Sequence, residues 1–119
     1  MTGAADRHAD TIAALQRAVL KTPGAASIDE RAAAESAAPT GTAADAYLEK
    51  VRHASYRIVD ADISSLKTAG MTEDAILELS LAAALGEATR VFDRSIRALS
   101  AAPASAATLP SSSAVDAEA

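Results

Sequence analysis

The sequence predicts an all-α fold, a small helical bundle followed by a disordered C-terminal tail. Three observations lead there. Bulky apolar residues recur at three- and four-residue spacing, as on one face of a helix. The segments so patterned open on Ser, Thr or Asp and stop at Gly or Pro. From Ala101 onward Ala, Ser, Pro and Thr dominate, with Pro103 and Pro110 breaking any helix.

Taken in order, Ile12, Leu15 and Val19 put one apolar face on a helix from about Asp6 to Leu20, and Pro23-Gly24 stops it. Ser27 followed by Glu30 has the spacing of a capping box and opens a short Ala-rich helix over 28–37. Its single bulky residue is Ile28, so it reads as a light cover. Pro39-Thr40-Gly41 is a turn or short linker. Thr42 or Asp45 caps the next helix, which carries Tyr47, Leu48 and Val51 and, a turn later, Ala54 and Ser55, ending near Arg57.

Asp60 is the expected N-cap of a short helix with Ile63 and Leu66 inward, and Gly70 is placed to close it in the left-handed conformation. Thr72 caps a long final helix, with Glu73 and Asp74 in the first turn where the helix dipole favours anions. Leu77, Leu81 and Leu85 with Ala84, Ala88, Phe92, Ile96 and Leu99 form its apolar stripe. Ile76, Leu79 and Val91 widen that stripe, so the helix is expected to be contacted on more than one side.

Composition says where the core lies. Of 119 residues, 33 are Ala and 26 are Leu, Ile, Val, Met, Phe or Tyr. Residues 42–100 hold 18 of those 26, so 42–100 is read as the helical core, 1–41 as an N-terminal helical cover and 101–119 as the tail. Eighteen bulky side chains are few for ordering that stretch. Extra burial is expected from the N-terminal helices or from another subunit. Ala75, Ala82 and Ala83 would let a neighbouring helix approach closely, and a homo-oligomer is expected.

There is no Cys, which excludes disulfides, zinc–thiolate sites and thiol catalysis. A formal net charge of -5 argues against a nucleic-acid partner, which needs clustered positive charge. Lys50, Arg52 and Arg57, and Arg90, Arg94 and Arg97, alternate with acids and read as solvated helix faces. Asp6, Arg7, His8 and Asp10 stand where a secretion signal would be apolar, and no stretch reaches the ~20 apolar residues of a membrane span. A cytoplasmic protein with no membrane partner is the expectation.

Candidate chemistry is sparse. Glu49 and His53 stand four residues apart, too few ligands for a metal site and also the spacing of an ordinary helical charge pair. His53, Ser55 and Asp60 would make a hydrolase triad only if the helix broke between base and nucleophile. Tyr56, Asp60, Asp62 and Glu78 are the more informative polar set. Glu78 sits in the run Ile76-Leu77-Glu78-Leu79 with Ala75 and Ala82 as helical neighbours, so desolvation would raise its pKa and suit it to acid/base work. The alternative is that Glu78 accepts a hydrogen bond from Tyr56 or pairs with an Arg, while Asp60 and Asp62 cap a helix. No cofactor is expected.

The stretch His53 to Leu79, continued by Ala82-Ala83-Ala84-Leu85-Gly86-Glu87-Ala88, resembles the carboxymuconolactone decarboxylase family, which includes the alkylhydroperoxidase D-like proteins. The pattern Ala69-Gly70-Met71-Thr72-Glu73-Asp74-Ala75-Ile76 carries the likeness, which covers residues 45–99. The family's redox branch has two Cys and a His where this chain has Ser55, Ile58 and Asp62, so peroxidase activity is not implied. The resemblance implies an all-α scaffold of the alkylhydroperoxidase D-like type that assembles into rings, with a site between helices. Tyr56, Asp62 and Glu78 would line that site, with His53 nearby. Its decarboxylase branch works without thiols. The expectation is a cysteine-free binder of a small organic ligand, or an acid/base enzyme using Glu78, Tyr56, Asp62 and His53 at a subunit interface. The alternative is a non-catalytic oligomeric helical interaction module.

Overall fold

Five helices and one 3₁₀ turn account for the regular structure of a computed structural model that describes residues 4–102. They are α1 (Ala4–Leu20), α2 (Ile28–Ser36), α3 (Asp45–His53), the 3₁₀ turn Ser55–Arg57, α4 (Asp60–Thr68) and α5 (Glu73–Ala101). Among the described residues there is no strand, as the spacing predicts. The disordered tail expected after residue 100 falls, from residue 103 on, outside the described residues. Residues up to Thr89 form one compact unit and those from Arg90 a second.

The capping chemistry read from the sequence is largely present. Ser27 Oγ accepts the Glu30 N–H at 3.0 Å while the Glu30 carboxylate accepts the Ser27 N–H at 3.1 Å, closing the box that opens α2. Thr72 Oγ1 accepts the Ala75 N–H at 3.1 Å at the head of α5. Gly70 takes φ +99°, the left-handed turn expected after α4. At α2 the corresponding position is Ala37, with φ 65°, a conformation in which its Cβ is crowded.

Two caps differ from expectation. At α3 the N-cap is Ala44, and the polar residues work one step earlier. Thr42 Oγ1 accepts the Ala44 N–H at 3.1 Å, and Asp45 folds back to accept the Thr40 N–H at 2.9 Å and its hydroxyl at 2.6 Å. At α4 the N-cap is Val59 rather than Asp60, because it is Asp62 that reaches back to the Val59 N–H at 2.9 Å. The helix expected to run on to Arg57 stops at His53, where Ala54 adopts φ -153° and ends the α-helical hydrogen bonding.

The core is thin in side chains. Its buried apolar residues are Leu20, Ala26, Ala34, Ala44, Leu48, Leu66, Ile76, Leu79, Ala82 and Ala83, and half of these ten are alanines. Leu20, Ala26 and Ala34 all lie before residue 41, so the segment read as a cover is part of the core. Ile28, its one bulky residue, is exposed, and α2 buries Ala34 and Arg31 instead. Small side chains at an inter-helix contact let the backbones draw together. At Gly86 the approach is closest: a Cβ there would fall on the Glu35 carbonyl of α2.

This contact reverses the expected orientation of α5. Its inward residues are Ile76, Leu79, Ala82, Ala83 and Gly86, whereas Leu77 is 57 % and Leu81 50 % exposed. The small-residue face thought to await another subunit is taken by this chain's own helices. The bulky stripe is left outside.

Gly86→Ala tests the contact. Helix propensity by itself favours Ala by about 1 kcal/mol, but the obstructing group is backbone and cannot rotate away. Overpacking of this kind costs about 1–3 kcal/mol. A thermal melt followed by circular dichroism is expected to show a lower Tm for Gly86→Ala than for the unmodified chain; an unchanged or higher Tm would show that α2 and α5 are not so close.

Candidate functional site

Glu78 belongs to α5 and points at the loop between α1 and α2. The Ala25 and Ala26 N–H groups donate to its two carboxylate oxygens at 3.0 and 2.8 Å. Gly24 lies directly against the carboxylate, where any Cβ would collide with it, so the Pro23-Gly24 stop signal also leaves room for this anchor. The two amides are not part of a helix and need acceptors. An ionised carboxylate is a strong one.

These bonds set the charge state. The Ala26 N–H, then the Ala25 N–H, hold the Glu78 carboxyl below its ordinary value, with the Arg31 guanidinium adding to the effect and burial only partly opposing it. The raised pKa expected from its apolar neighbours is therefore corrected: local hydrogen bonding to the charged form outweighs desolvation. A general acid or base works best with a pKa near the operating pH. Glu78 has been moved away from it.

Asp62 is half-buried and equally engaged. It accepts from Lys50 Nζ at 2.9 and 3.1 Å and from the Val59 N–H, and the Lys50 hydrogen bond is the main reason its pKa lies below the ordinary range. His53, exposed at the end of α3, has Nε2 4.0 Å from Glu49 Oε1, the i, i+4 contact that their spacing allowed. Ala54 does break the helix between His53 and Ser55, yet the imidazole turns to Glu49. Tyr56, on the 3₁₀ turn, is 86 % exposed. It does not reach Glu78. The four candidate residues are thus not brought together: Glu78, Asp62 and His53 face separate partners, and Tyr56 lies at the surface. Among the described residues no group of three or more His, Asp or Glu is placed to hold a metal ion, and no described helix is long and apolar enough to cross a membrane.

Three shallow clefts lie among these side chains. One of about 280 Å³ is lined by Tyr47, Lys50, Asp62 and Ser65. Tyr47 also walls a second, of about 270 Å³, with Ile63, Ile76 and Leu77, and its hydroxyl shares a 2.8 Å hydrogen bond with Ser80. A third, of about 190 Å³, is bordered by Thr22, Arg31, Glu78 and Leu81.

The sequence reading passed over two arginines that matter more than any candidate. Arg31 is 2 % exposed and donates from Nη1 to the Val19 carbonyl at 2.8 Å, tying α2 to the end of α1. Arg52, expected on a solvated face, has a buried side chain that donates to the Ala34 carbonyl at 2.9 Å and to Glu49 at 2.9 Å. Both cap the exposed carbonyls of helix C-terminal turns, where positive charge is favoured. Among the described residues the Arg31 Nε and Nη2 groups are buried with no hydrogen-bond partner, and Glu78 borders the same cleft as Arg31. Nothing in the pattern around Arg31 marks it, since it stands between the acids Asp29 and Glu30 and the run Ala32-Ala33-Ala34, as a solvated helix residue would.

Replacing Glu78 by Gln keeps the shape and removes the charge, so one of the loop amides would face an NH₂ group. At pH 7 Glu78→Gln is expected to lose about 1–3 kcal/mol of unfolding free energy. Because the folded pKa lies below the ordinary 4.5, the stabilisation is present above that pH and lost as pH falls through the folded value. Urea midpoints for the two proteins should therefore converge on acidification; a constant gap down to pH 3 would contradict the assignment. Comparison with known proteins gives no matching family model, no matching curated protein and no matching solved structure.

Proposed function

We propose that this chain is a non-catalytic helical interaction module that associates with further copies of itself. One observation carries the reading: α5 turns its small residues inward and leaves Leu77 and Leu81 in water. Apolar side chains of that size gain roughly 1.5–3 kcal/mol each on full burial, and contiguous exposed patches of them mark interaction surfaces. The polar side of the molecule supports the same reading. Glu78 and Asp62 are both consumed in anchoring neighbouring backbone, and neither is poised for proton transfer. The resemblance to the carboxymuconolactone decarboxylase scaffold, which assembles into rings, agrees with self-association.

A second reading, a small organic ligand, draws on the two clefts that share Tyr47. There the Tyr47 and Ser80 hydroxyls would meet a polar group of the ligand, and Ile63, Ile76 and Leu77 its apolar body. It is compatible with assembly and does not need catalysis.

Sedimentation velocity of the full chain over a dilution series tests the main reading. A dimer or larger species is expected that dissociates on dilution, together with a monomer for the double variant Leu77→Glu/Leu81→Glu at unchanged helical circular dichroism. A monomer at every concentration of the unmodified chain would overturn self-association.

A further inference from the structure

Arg31 carries hydrogen-bond donors that the fold itself leaves unused. Its Nη1 is spent on the Val19 carbonyl, whereas Nε and Nη2, among the described residues, are buried with no partner. These two nitrogens lie along one edge of the guanidinium and present the parallel pair of N–H groups that a carboxylate takes with both oxygens. A buried fork without acceptors is costly to keep, yet the whole residue is only 2 % exposed.

The same side chain walls the cleft of about 190 Å³ described above, together with Thr22, Glu78 and the apolar Val19, Pro23 and Leu81. Its polar groups are complementary in kind. Arg31 has only donors to offer. Thr22 spends its hydroxyl proton on the Ala18 carbonyl at 2.6 Å, so Thr22 Oγ1 is left as an acceptor. Glu78 takes one loop amide on each carboxylate oxygen, and each oxygen keeps a second lone pair. A simple anion drawn to the fork would be repelled by the Glu78 charge on the same cleft. A molecule with a carboxylate and an ammonium on adjacent atoms suits both. The volume is below the ~300 Å³ at which clefts begin to take drug-sized ligands, so the molecule is small.

We propose that this cleft binds a free α-amino acid with a small apolar side chain. Its carboxylate seats on Nε and Nη2 of Arg31, its ammonium lies between Glu78 and Thr22 Oγ1, and its side chain rests against Val19, Pro23 and Leu81. Leu81 on the rim is 50 % exposed and can turn aside to admit it. The site shares no lining residue with the two Tyr47 clefts and does not require self-association.

Titration of the isotope-labelled full chain with L-valine, 3-methylbutanoate and isobutylamine at neutral pH, followed by heteronuclear NMR, tests the site. The Arg31 Nε–H and the Ala25 and Ala26 amide resonances are expected to shift and saturate together with L-valine. Affinity should be at least tenfold higher than for 3-methylbutanoate, which lacks the ammonium, or isobutylamine, which lacks the carboxylate. Arg31→Lys keeps the charge and loses the fork, and should weaken L-valine binding at least tenfold. Thr22→Val removes an exposed acceptor outside the core and should weaken it severalfold at unchanged helical circular dichroism. The absence of any saturable shift with L-valine in the unmodified chain would overturn the site, whether or not the variants fold. Equal affinity for L-valine and 3-methylbutanoate would overturn the amino-acid assignment, and undiminished binding by a folded Arg31→Lys would overturn the role of the fork.

Discussion

The fit of α5 against α2 at Gly86 is the constraint from which the remaining arrangement follows. A helix can press only one side of itself closely against another backbone, and the side that allows the tightest approach is the one without side chains in the way. Ala82, Ala83 and Gly86 supply that side, with Ile76 and Leu79 filling the space at the head of the helix. Once they face inward, Leu77 and Leu81 must face outward, since they are a turn fraction away on the same cylinder. Close packing of small residues gains dispersion contacts and shared backbone proximity, not large apolar area. That is why half of the buried residues are alanines.

A core of this kind leaves the positioning of the N-terminal segment to polar groups. Three ionised side chains do it by reaching backbone atoms at helix ends. Glu78 collects two amides of the α1–α2 loop, Arg31 binds the Val19 carbonyl, and Arg52 binds the Ala34 carbonyl. Each satisfies backbone groups that helix termini and loops cannot pair for themselves. Charged partners make stronger bonds than neutral ones, and the low local polarity raises the cost of leaving them unmade. Arg31 and Glu78 border the same cleft, and the guanidinium adds a small share to the lowering of the Glu78 pKa.

This use of charge accounts for the dispersal of the polar residues that looked like a site. A carboxylate that accepts several N–H donors is stabilised in its ionised form and is a poor proton carrier at neutral pH. Glu78 and Asp62 are both in that condition. What α5 leaves exposed is therefore apolar, Leu77 and Leu81 among it, while the Tyr47 clefts combine apolar walls with the Tyr47 and Ser80 hydroxyls.

Much of the local structure was legible because it depends on neighbours in sequence. The capping box at Ser27 and Glu30, the Thr72 cap, the left-handed Gly70 and the existence of all five helices need only residues within a turn of one another. Periodicity also located the apolar residues of α5. It could not say which of two apolar faces would be inside, because Leu77 and Leu79 are equally hydrophobic and the choice lay with Gly86 and Glu35, fifty-one residues apart in the chain. The roles of Arg31, Arg52 and Glu78 were hidden for the same reason: a charged side chain looks solvated until a distant carbonyl or amide is brought to it. Sequence by itself determined helices, caps and the all-α class, all set by short-range geometry. Tertiary packing alone decided inside from outside and anchor from surface charge, since burial belongs to pairs of segments and not to either one.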